Sequence, residues 1–544
     1  MTDLNSLLAE IIEARHRHKV GFKVITLEVI KNPFLGDLKL DFCDNLEKLD
    51  NYPFSTILIG PNGTGKSNIL RAIINIFREI FVLSTSETGK RGNYVNGGFA
   101  LSYLLNGQLY SFGNIEYDEN EISVKAYHKK QKLWARINNY HNDDFITEIK
   151  KFDLPSSIVA SSIMVTDKYP YLNKEELPIY NYLGVRSSRR SSGTRAYVRK
   201  TVDTIQNSIS NNQSEFTTRL KSILEYLELE KRLVIRYKPI YKKQFYRNDL
   251  TETEFRSYFE HREEHFPDRK TDLWGTSRYK KIVDDDNLIL RIVDFLKSMD
   301  QRFFSNEELE DKTHMVYDVM SERNLVEDFQ MINELKQLDI ITYPSISLRK
   351  KGSEFDLEES SSGEYALLSS LIGLMASVQE NSLVFIDEPE VSLHPNWQMK
   401  YMNYLKEMFQ SFKSCHFIIA THSHFLVSDI EGRNSQVIGL KKEEGIIPIH
   451  FKNIDTYGWS AEEILLEVFN VPTTRNLFIY EKIGEILDLI ALRDTKEDQD
   501  SLKNVLDEIS NKIKYLREKG IDNLSKEDPL KQVVDKLIEK YGQP

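Results

Sequence analysis

Cysteine is nearly absent from this sequence of 544 residues. Its two cysteines, Cys43 and Cys415, are too few for a disulfide framework and fit a reducing compartment. An excess of positive charge is also lacking, because 72 Lys and Arg residues stand against 83 Asp and Glu residues and the net charge is −11. This balance argues against a protein that coats nucleic acid indiscriminately.

Long apolar runs are missing as well. None is long enough to span a bilayer, and residues 1–19 mix apolar and charged side chains, unlike a signal peptide. We therefore expect a cytoplasmic protein without membrane contact. The sequence also has no convincing internal repeat and no long coiled coil. Its length predicts roughly three or four domain-sized units.

A complete P-loop lies early in the sequence. It reads Gly60, Pro61, Asn62, Gly63, Thr64, Gly65, Lys66 and Ser67. A strand-like apolar run precedes it and a helical pattern follows, which is the context in which this motif binds a nucleoside triphosphate. We expect backbone N–H groups around Asn62, Gly63 and Gly65 to surround phosphate oxygens. Lys66 would reach the β- and γ-phosphates, and Ser67 would ligate Mg²⁺.

A serine-rich turn forms the second motif. Ser361, Ser362, Gly363 and Glu364 precede an apolar helix predicted over 365–378. Such a turn at a helix N-terminus presents backbone N–H groups and a serine hydroxyl to a phosphate. The alternative is a serine-rich loop that caps an ordinary helix. The position of the turn, between the P-loop and an acidic motif, favours the phosphate-binding interpretation.

Two carboxylates end the strand-like run 383–386. Because the run is continuously apolar, we expect it to be buried in a parallel sheet, whose carboxyl edge is where ligands bind. There Asp387 would hold Mg²⁺ and Glu388 would polarise the attacking water. A second buried strand, 417–420, leads to His422, which would contact the γ-phosphate. The alternatives are an ordinary acidic strand end and a structural histidine.

Together these motifs resemble the ABC-type ATPase head. In that family two heads enclose two nucleotides, and the signature turn of each head completes the P-loop of its partner. The resemblance implies that the P-loop binds ATP and that Ser361 and Gly363 act in trans. It further implies that Asp387 contacts Mg²⁺, that Glu388 is the general base and that His422 is the switch. A homo-oligomer, at least a dimer through the heads, follows from it.

The resemblance also predicts the fold class. We expect an α/β ABC-type P-loop head, built on a mixed sheet and an antiparallel β-subdomain, with a helical insertion lobe and a helical C-terminal region. The predicted domains are two halves of the head, 1–200 and 341–455, the lobe, 201–340, and the C-terminal region, 456–544, a candidate docking surface for a partner. One family element is missing, since no glutamine occurs at the predicted Q-loop between Ser162 and Asp167.

Further details indicate the branch of the family. Residues 388–395, together with Thr421-His422-Ser423, resemble soluble ABC ATPases of the overcoming-lysogenisation-defect and DNA-repair branch. The helical remainder shows no strand-end metal cluster, so we expect no nuclease in this chain. The sequence is most similar to the PtuA ATPases of Septu-type anti-phage systems, including retron-associated forms. This resemblance implies an HNH nuclease (PtuB-like) as partner, and in retron forms a reverse transcriptase with its RNA–DNA product.

Two basic tracts bear on the substrate. Residues 186–200 carry arginines without a carboxylate, and residues 231–247 interleave cations with aromatic residues. Both compositions suit phosphate backbones and stacked bases, and both equally suit a solvated face or a protein contact. Three functions are therefore open: a defence ATPase that gates a nuclease, a DNA-repair-type ATPase, and an ATPase that energises a transporter.

Overall fold

The structure, a computed structural model, divides into two compact units, residues 1–458 and 459–544. The residues that it describes are 21–43, 53–85, 94–115, 125–128, 131–138, 152–164, 166–186, 194–238, 245, 248–260, 284–305, 315–320, 325–338, 340–341, 344–428, 430, 434–441, 449–451, 456, 459, 461–467, 477–493, 499–519 and 529–541.

The described strands all lie in the first unit. They are β1 (Lys23–Asn32), β2 (Gly36–Asp41), β3 (Phe54–Ile59), β4 (Gly98–Leu105), β5 (Gln108–Gly113), β6 (Lys125–His128), β7 (Gln131–Asn138), β8 (Ile158–Ser162), β9 (Tyr180–Gly184), β10 (Leu233–Tyr237), β11 (Met315–Asp318), β12 (Ser345–Lys350), β13 (Ser353–Asp356), β14 (Leu383–Asp387), β15 (His416–Thr421), β16 (Ser435–Leu440) and β17 (Ile449–Phe451).

The described helices belong to both units. In the first they are α1 (Lys66–Thr85), α2 (Thr194–Tyr226), α3 (Glu252–Glu260), α4 (Asp286–Ser305), α5 (Leu325–Gln337), a 3₁₀ turn (Leu357–Glu359), α6 (Ser362–Ser377), α7 (Pro395–Phe409) and α8 (His424–Val427), and in the second α9 (Ala461–Glu467), α10 (Leu477–Arg493), α11 (Gln499–Glu518) and α12 (Pro529–Tyr541).

A seven-stranded mixed sheet forms the centre of the head. Its order is β17-β16-β3-β15-β14-β8-β9, and every pair of neighbours is parallel except β16 and β17. Side chains of β14 alternate between two cores: Leu383 and Phe385 face a core shared with α1, whereas Val384 and Ile386 face one shared with α6 and α7. The strand is therefore buried on both faces, as its continuous apolar run predicts.

A six-stranded antiparallel sheet packs on the other side of α1. Its order is β2-β1-β4-β5-β7-β6. The turn between β4 and β5 consists of Asn106 and Gly107, with φ values of 51° and 79°. Two consecutive positive φ values are what a two-residue type I′ hairpin requires, and Asn-Gly is its preferred sequence. The predicted mixed sheet and antiparallel β-subdomain are thus confirmed.

The insertion lobe is mainly helical, with α2 to α5, and it also contributes two strands. β10 and β11 join β12 and β13 in a four-stranded antiparallel sheet of order β11-β10-β12-β13. The long helix α2 is interrupted at Asn212, where φ and ψ are −160° and 88°. Apolar side chains of the lobe form one core with Leu368, Ile372 and Met375 of α6. The helix α6, which follows the predicted signature turn, is therefore part of the lobe's packing.

A buried polar network joins the two large sheets. The Lys23 ammonium donates to the Cys415 carbonyl oxygen at 2.8 Å. His416 Nδ1 accepts from the backbone N–H of Val24 at 3.0 Å, while its Nε2 lies 2.8 Å from the Thr56 hydroxyl. Burial lowers the pKa of Lys23 to about 8 and holds the pKa of His416 well below its usual value.

The described secondary structure of the second unit consists of helices. Its core lies among α10, α11 and α12 and includes Ile486, Ile513 and Val534. On each helix the buried apolar residues are three or four positions apart, as Ile509 and Ile513 are on α11, so packing of one apolar stripe from each helix holds the three together. Across the described part of both units, no helix is long and apolar enough to cross a membrane.

Candidate nucleotide-binding site

The P-loop follows β3 directly, and α1 begins at Lys66. Gly60 has a φ of 155°, and a side chain there would collide with the Leu440 carbonyl oxygen. The Lys66 ammonium donates to the carbonyl oxygens of Gly60 at 2.6 Å and of Pro61 at 3.2 Å. Asn62 is exposed on the loop, whereas Lys66 is buried. The lysine therefore spans the inside of the glycine-rich turn.

Burial sets the electrostatics of Lys66. It lowers the pKa of the ammonium, while the nearby Glu388, Glu390 and Asp387 carboxylates act in the opposite direction. A buried cation at the start of a helix is suited to bind phosphate, because the helix N-terminus adds positive potential at the same place.

Ser67 and Asp387 meet at the carboxyl edge of the central sheet. The Ser67 hydroxyl donates to Asp387 Oδ1 at 3.0 Å, although 320 residues separate the two in sequence. Asp387 is almost fully buried, and burial raises its pKa to about 7. A hydroxyl beside a carboxylate is a donor set that suits Mg²⁺, which takes oxygen ligands and retains several waters. Among the described residues, no group of three or more His, Cys, Asp or Glu side chains could hold a metal ion.

Glu388 and His422 leave neighbouring parallel strands at the same edge. Glu388 has a φ of 50°, and its backbone N–H donates to the Ala420 carbonyl oxygen at 2.8 Å. His422 Nδ1 lies 3.6 Å from Glu388 Oε1. The contact with His422 lowers the pKa of Glu388, and the same contact raises the pKa of His422. The positive φ turns the glutamate out of the strand, toward the histidine.

A third carboxylate, Glu390, lies behind this pair and was not among the predicted site residues. Its Oε1 accepts from the Thr421 hydroxyl at 2.8 Å and from the backbone N–H groups of His422 at 2.6 Å and Ser423 at 3.1 Å. His422 Nδ1 is 3.2 Å from the same oxygen. The second carboxylate of the Glu-Pro-Glu sequence was the available signal, but its partners are about thirty residues away in sequence.

The predicted signature turn begins α6. Ser361 is the N-cap: its hydroxyl accepts from the Glu364 N–H at 3.3 Å and donates to the Glu364 carboxylate at 3.1 Å. This is the capping alternative raised by the sequence, and a phosphate-binding role of the turn stays a prediction. Gly363 packs against the loop after β14, where an added Cβ would lie 2.5 Å from the Ser392 carbonyl oxygen.

The stretch predicted as the Q-loop follows β8, whose Ser162 pairs in register with Asp387. It ends at Asp167, whose side chain is completely buried. Asp167 accepts from the Tyr182 hydroxyl at 2.6 Å and from Arg186 Nε at 3.1 Å. Burial raises the pKa of Asp167, and the hydrogen bond from Tyr182 opposes that shift. Asp167, held by Tyr182 and Arg186, therefore occupies the end of the stretch in which the ABC-type resemblance predicts a glutamine.

The basic tracts are partly engaged inside the protein. Arg186 pairs with Asp167, and Lys200 lies 4.3 Å from the centre of the Tyr182 ring. In the second tract, Arg236 pairs with carboxylates of β13. Residues 187–193, 239–244 and 246–247 lie outside the described residues. Arg186 and Arg236 therefore make contacts within the protein, as the second interpretation of these tracts expects. Contact of the tracts with nucleic acid stays a prediction.

Comparisons with known proteins agree with the P-loop interpretation. A family model described as an AAA ATPase domain matches residues 35–427. A curated relative, the Septu protein PtuA of Bacillus thuringiensis, is 29% identical over 105 residues, which is 19% of this chain and 26% of the relative. The match therefore spans about a quarter of that relative's length.

Two solved structures are also similar. The SMC head domain from Thermotoga maritima matches 78% of this chain and 98% of its own, with 12% identity and a TM-score of 0.32. The recombination mediator protein RecF with ATP matches 80% of this chain and 99% of its own, with 17% identity and a TM-score of 0.27. Likenesses at these scores assign no function. The family model, in contrast, covers well over half of the sequence and includes the P-loop, the predicted signature turn and the acidic strand end. The chain belongs to the AAA ATPase domain family.

Proposed function

We propose that this chain is an ATP-hydrolysing head that controls a partner nuclease in an anti-phage defence complex. The ATPase part of the proposal is supported by one observation above all. Lys66, Ser67, Asp387, Glu388 and His422 come from three separate segments and converge at one edge of the central sheet. A P-loop lysine, a hydroxyl–carboxylate pair and a polarising carboxylate are the parts that phosphoryl transfer to water requires.

Each group then has a defined role. Lys66 binds the β- and γ-phosphates of ATP, and the loop around Gly63 surrounds them with backbone N–H groups. Ser67 and Asp387 hold Mg²⁺, which, when bound, neutralises charge on the phosphate oxygens. Glu388 accepts the proton of the attacking water.

We further propose that the active unit is at least a dimer of heads. The N-terminus of α6, with Ser361 and Gly363, would complete the nucleotide site of a second copy. A mixture of two inactive variants tests this arrangement. Lys66→Ala and Gly363→Asp should each abolish turnover, and their equimolar mixture should regain it, because about half of its dimers pair one variant with the other and each of these contains one intact site. Mixtures that stay inactive after demonstrated subunit exchange would contradict a shared site.

The similarity to the Septu protein PtuA supports the defence role that we propose for this chain. The partner would be an HNH nuclease, and in a retron-associated form also a reverse transcriptase with its RNA–DNA product. Residues 456–544 are the proposed docking region, since they follow the ATPase core in sequence and expose large apolar side chains, among them Leu466, Leu487 and Val533. Residues 1–200 and 341–455 would form the head and 201–340 the lobe.

Purification tests this division of labour. The chain expressed with its gene neighbours should copurify with a nuclease, and the complex should cut DNA in the presence of Mg²⁺ or Mn²⁺. The isolated chain should hydrolyse ATP without cutting DNA. Removal of residues 459–544 should abolish capture of the nuclease while ATP binding survives. Metal-dependent cleavage by the isolated chain would overturn the proposal, and copurification with a membrane permease would favour the transporter alternative.

A further inference from the structure

One buried carboxylate oxygen accepts three hydrogen bonds from the turn after β15. Glu390 Oε1 accepts from the Thr421 hydroxyl and from the N–H groups of His422 and Ser423, at distances between 2.6 and 3.1 Å. Hydrogen bonds to an ionised acceptor are the stronger kind, so these three fix the backbone on which the histidine is mounted. The same loop is tied a second time, because Gln398 accepts from the Ser423 hydroxyl at 2.6 Å and donates to the Leu393 carbonyl oxygen at 2.9 Å.

His422 Nδ1 lies between two carboxylates. It is 3.2 Å from Glu390 Oε1 and 3.6 Å from Glu388 Oε1, so the buried Glu390 is the nearer one. A ring nitrogen can donate only one proton, and the two glutamates therefore compete for it. If Nδ1 donates its proton to Glu390, Oε1 of Glu388 remains available to accept a hydrogen bond from water.

The second oxygen of Glu390 is an unusual feature. Oε2 is buried and has no hydrogen-bond partner within the described part of the chain. A buried carboxylate oxygen without a hydrogen-bond donor lowers the stability of the folded protein. Such a group therefore calls for an explanation, and a catalytic or binding role is one. Here it leaves one acceptor available for Nδ1 if the histidine ring moves away from Glu388.

We infer that Glu390 is a positioning residue for His422. Its carboxylate fixes the turn and binds Nδ1, which directs Nε2 to the nucleotide and keeps Glu388 available to activate water. This inference rests on the proposed ATPase function. It also links the site to the signature turn, since Glu390 and Ser392 belong to one loop and the Ser392 carbonyl oxygen abuts Gly363.

A double-mutant cycle tests the inference, because a residue that acts through another loses its effect when that residue is removed. Glu390→Gln keeps the shape and an acceptor oxygen but removes the charge. In single-turnover assays it should slow ATP hydrolysis about tenfold or more, with ATP affinity changed less than about twofold. In the His422→Ala background the same substitution should have no further effect. Glu79→Gln, at another fully buried carboxylate that accepts a backbone N–H, is the matched control and should leave the rate unchanged.

The outcomes separate the two proposals. Equal slowing by Glu390→Gln in both backgrounds, or no slowing in either, would overturn the positioning role while ATPase function stands. If Glu390→Gln lowers the unfolding midpoint so far that the protein is not folded, Glu390→Asp, which keeps the charge but shortens the reach to Nδ1, is judged by the same criteria. A wild-type chain without turnover, or one whose turnover survives Glu388→Gln, would overturn the proposed function and this inference with it.

Discussion

Replacement of Gly363 by alanine tests the close approach between the signature turn and the loop after β14. An added Cβ would lie 2.5 Å from the Ser392 carbonyl oxygen and 3.4 Å from Trp397 Cζ3. Close C···O contacts in proteins begin near ~3.3 Å, so the carbonyl would have to move by about 0.8 Å. Overpacking of this kind costs about 1–3 kcal/mol. Because Ser392 shares a loop with Glu388, we also expect turnover to fall.

Gly373, in the same helix, provides the matched control. A Cβ there would make ordinary contacts of 3.4 to 3.8 Å with Leu183 and Thr201. Gly373→Ala should therefore raise the free energy of unfolding, by up to about 1 kcal/mol, because alanine has the higher helix propensity. Gly363 lies in the first turn of the helix, where this gain should be no larger, so Gly363→Ala should be less stable than Gly373→Ala by at least the steric cost of about 1–3 kcal/mol. Urea unfolding followed by circular dichroism measures both. Equal midpoints for the two variants would refute the reasoning.

Two further predictions concern pH, and one concerns nucleotide binding. The pKa of Lys23 is lowered from 10.5 to about 8, so between these values the unfolded chain binds a proton that the folded chain does not. The contribution of Lys23 to stability should therefore rise with pH across that window, by up to about 3 kcal/mol. It is measured as the difference between the wild type and Lys23→Met in urea titrations at each pH, because Cys415 and buried tyrosines, whose pKa values are raised, act in the opposite direction. Asp387, with a pKa of about 7, is protonated at lower pH, so Mg²⁺ affinity in the presence of ADP should fall up to about tenfold per pH unit below 7. Calorimetric titration should show that dependence, corrected for the proton uptake of ADP itself, and Asp387→Asn should abolish it. Lys66→Ala should weaken binding of a fluorescent ATP analogue at least about tenfold, since the phosphates lose their buried cation, and unchanged affinity would exclude the P-loop as the binding site.

Local patterns in the sequence were enough to predict the elements that carry the site. The apolar run before Asp387 predicted a strand buried on both faces, and the Asn106-Gly107 pair has the sequence that the hairpin turn between β4 and β5 prefers. Both features depend on neighbouring residues alone. The two strands of the lobe were harder to predict, because β10 is short and pairs with β12 about 110 residues later.

The polar contacts of the site could not be predicted from the sequence, because they too join residues that are far apart along the chain. Glu390 reaches a turn 31 residues away, and Arg186 reaches Asp167 across 19 residues. Residue type suggested a phosphate contact for Arg186, but the folded chain pairs it with a buried aspartate. Charge patterns along a sequence do not reveal which charges will be buried together, whereas motif spacing does reveal which backbone segments will meet.

Phosphate release by Glu388→Gln, compared with the wild type, is the most direct test of the central claim. Both proteins should bind an ATP analogue with the same affinity, because the substitution leaves Lys66 and the Ser67–Asp387 pair intact. Loss of the carboxylate that activates water should lower the single-turnover rate by about 10²-fold or more. Wild-type turnover in Glu388→Gln, with Lys66→Ala inactive in the same assay, would contradict the assignment of Glu388 as the general base.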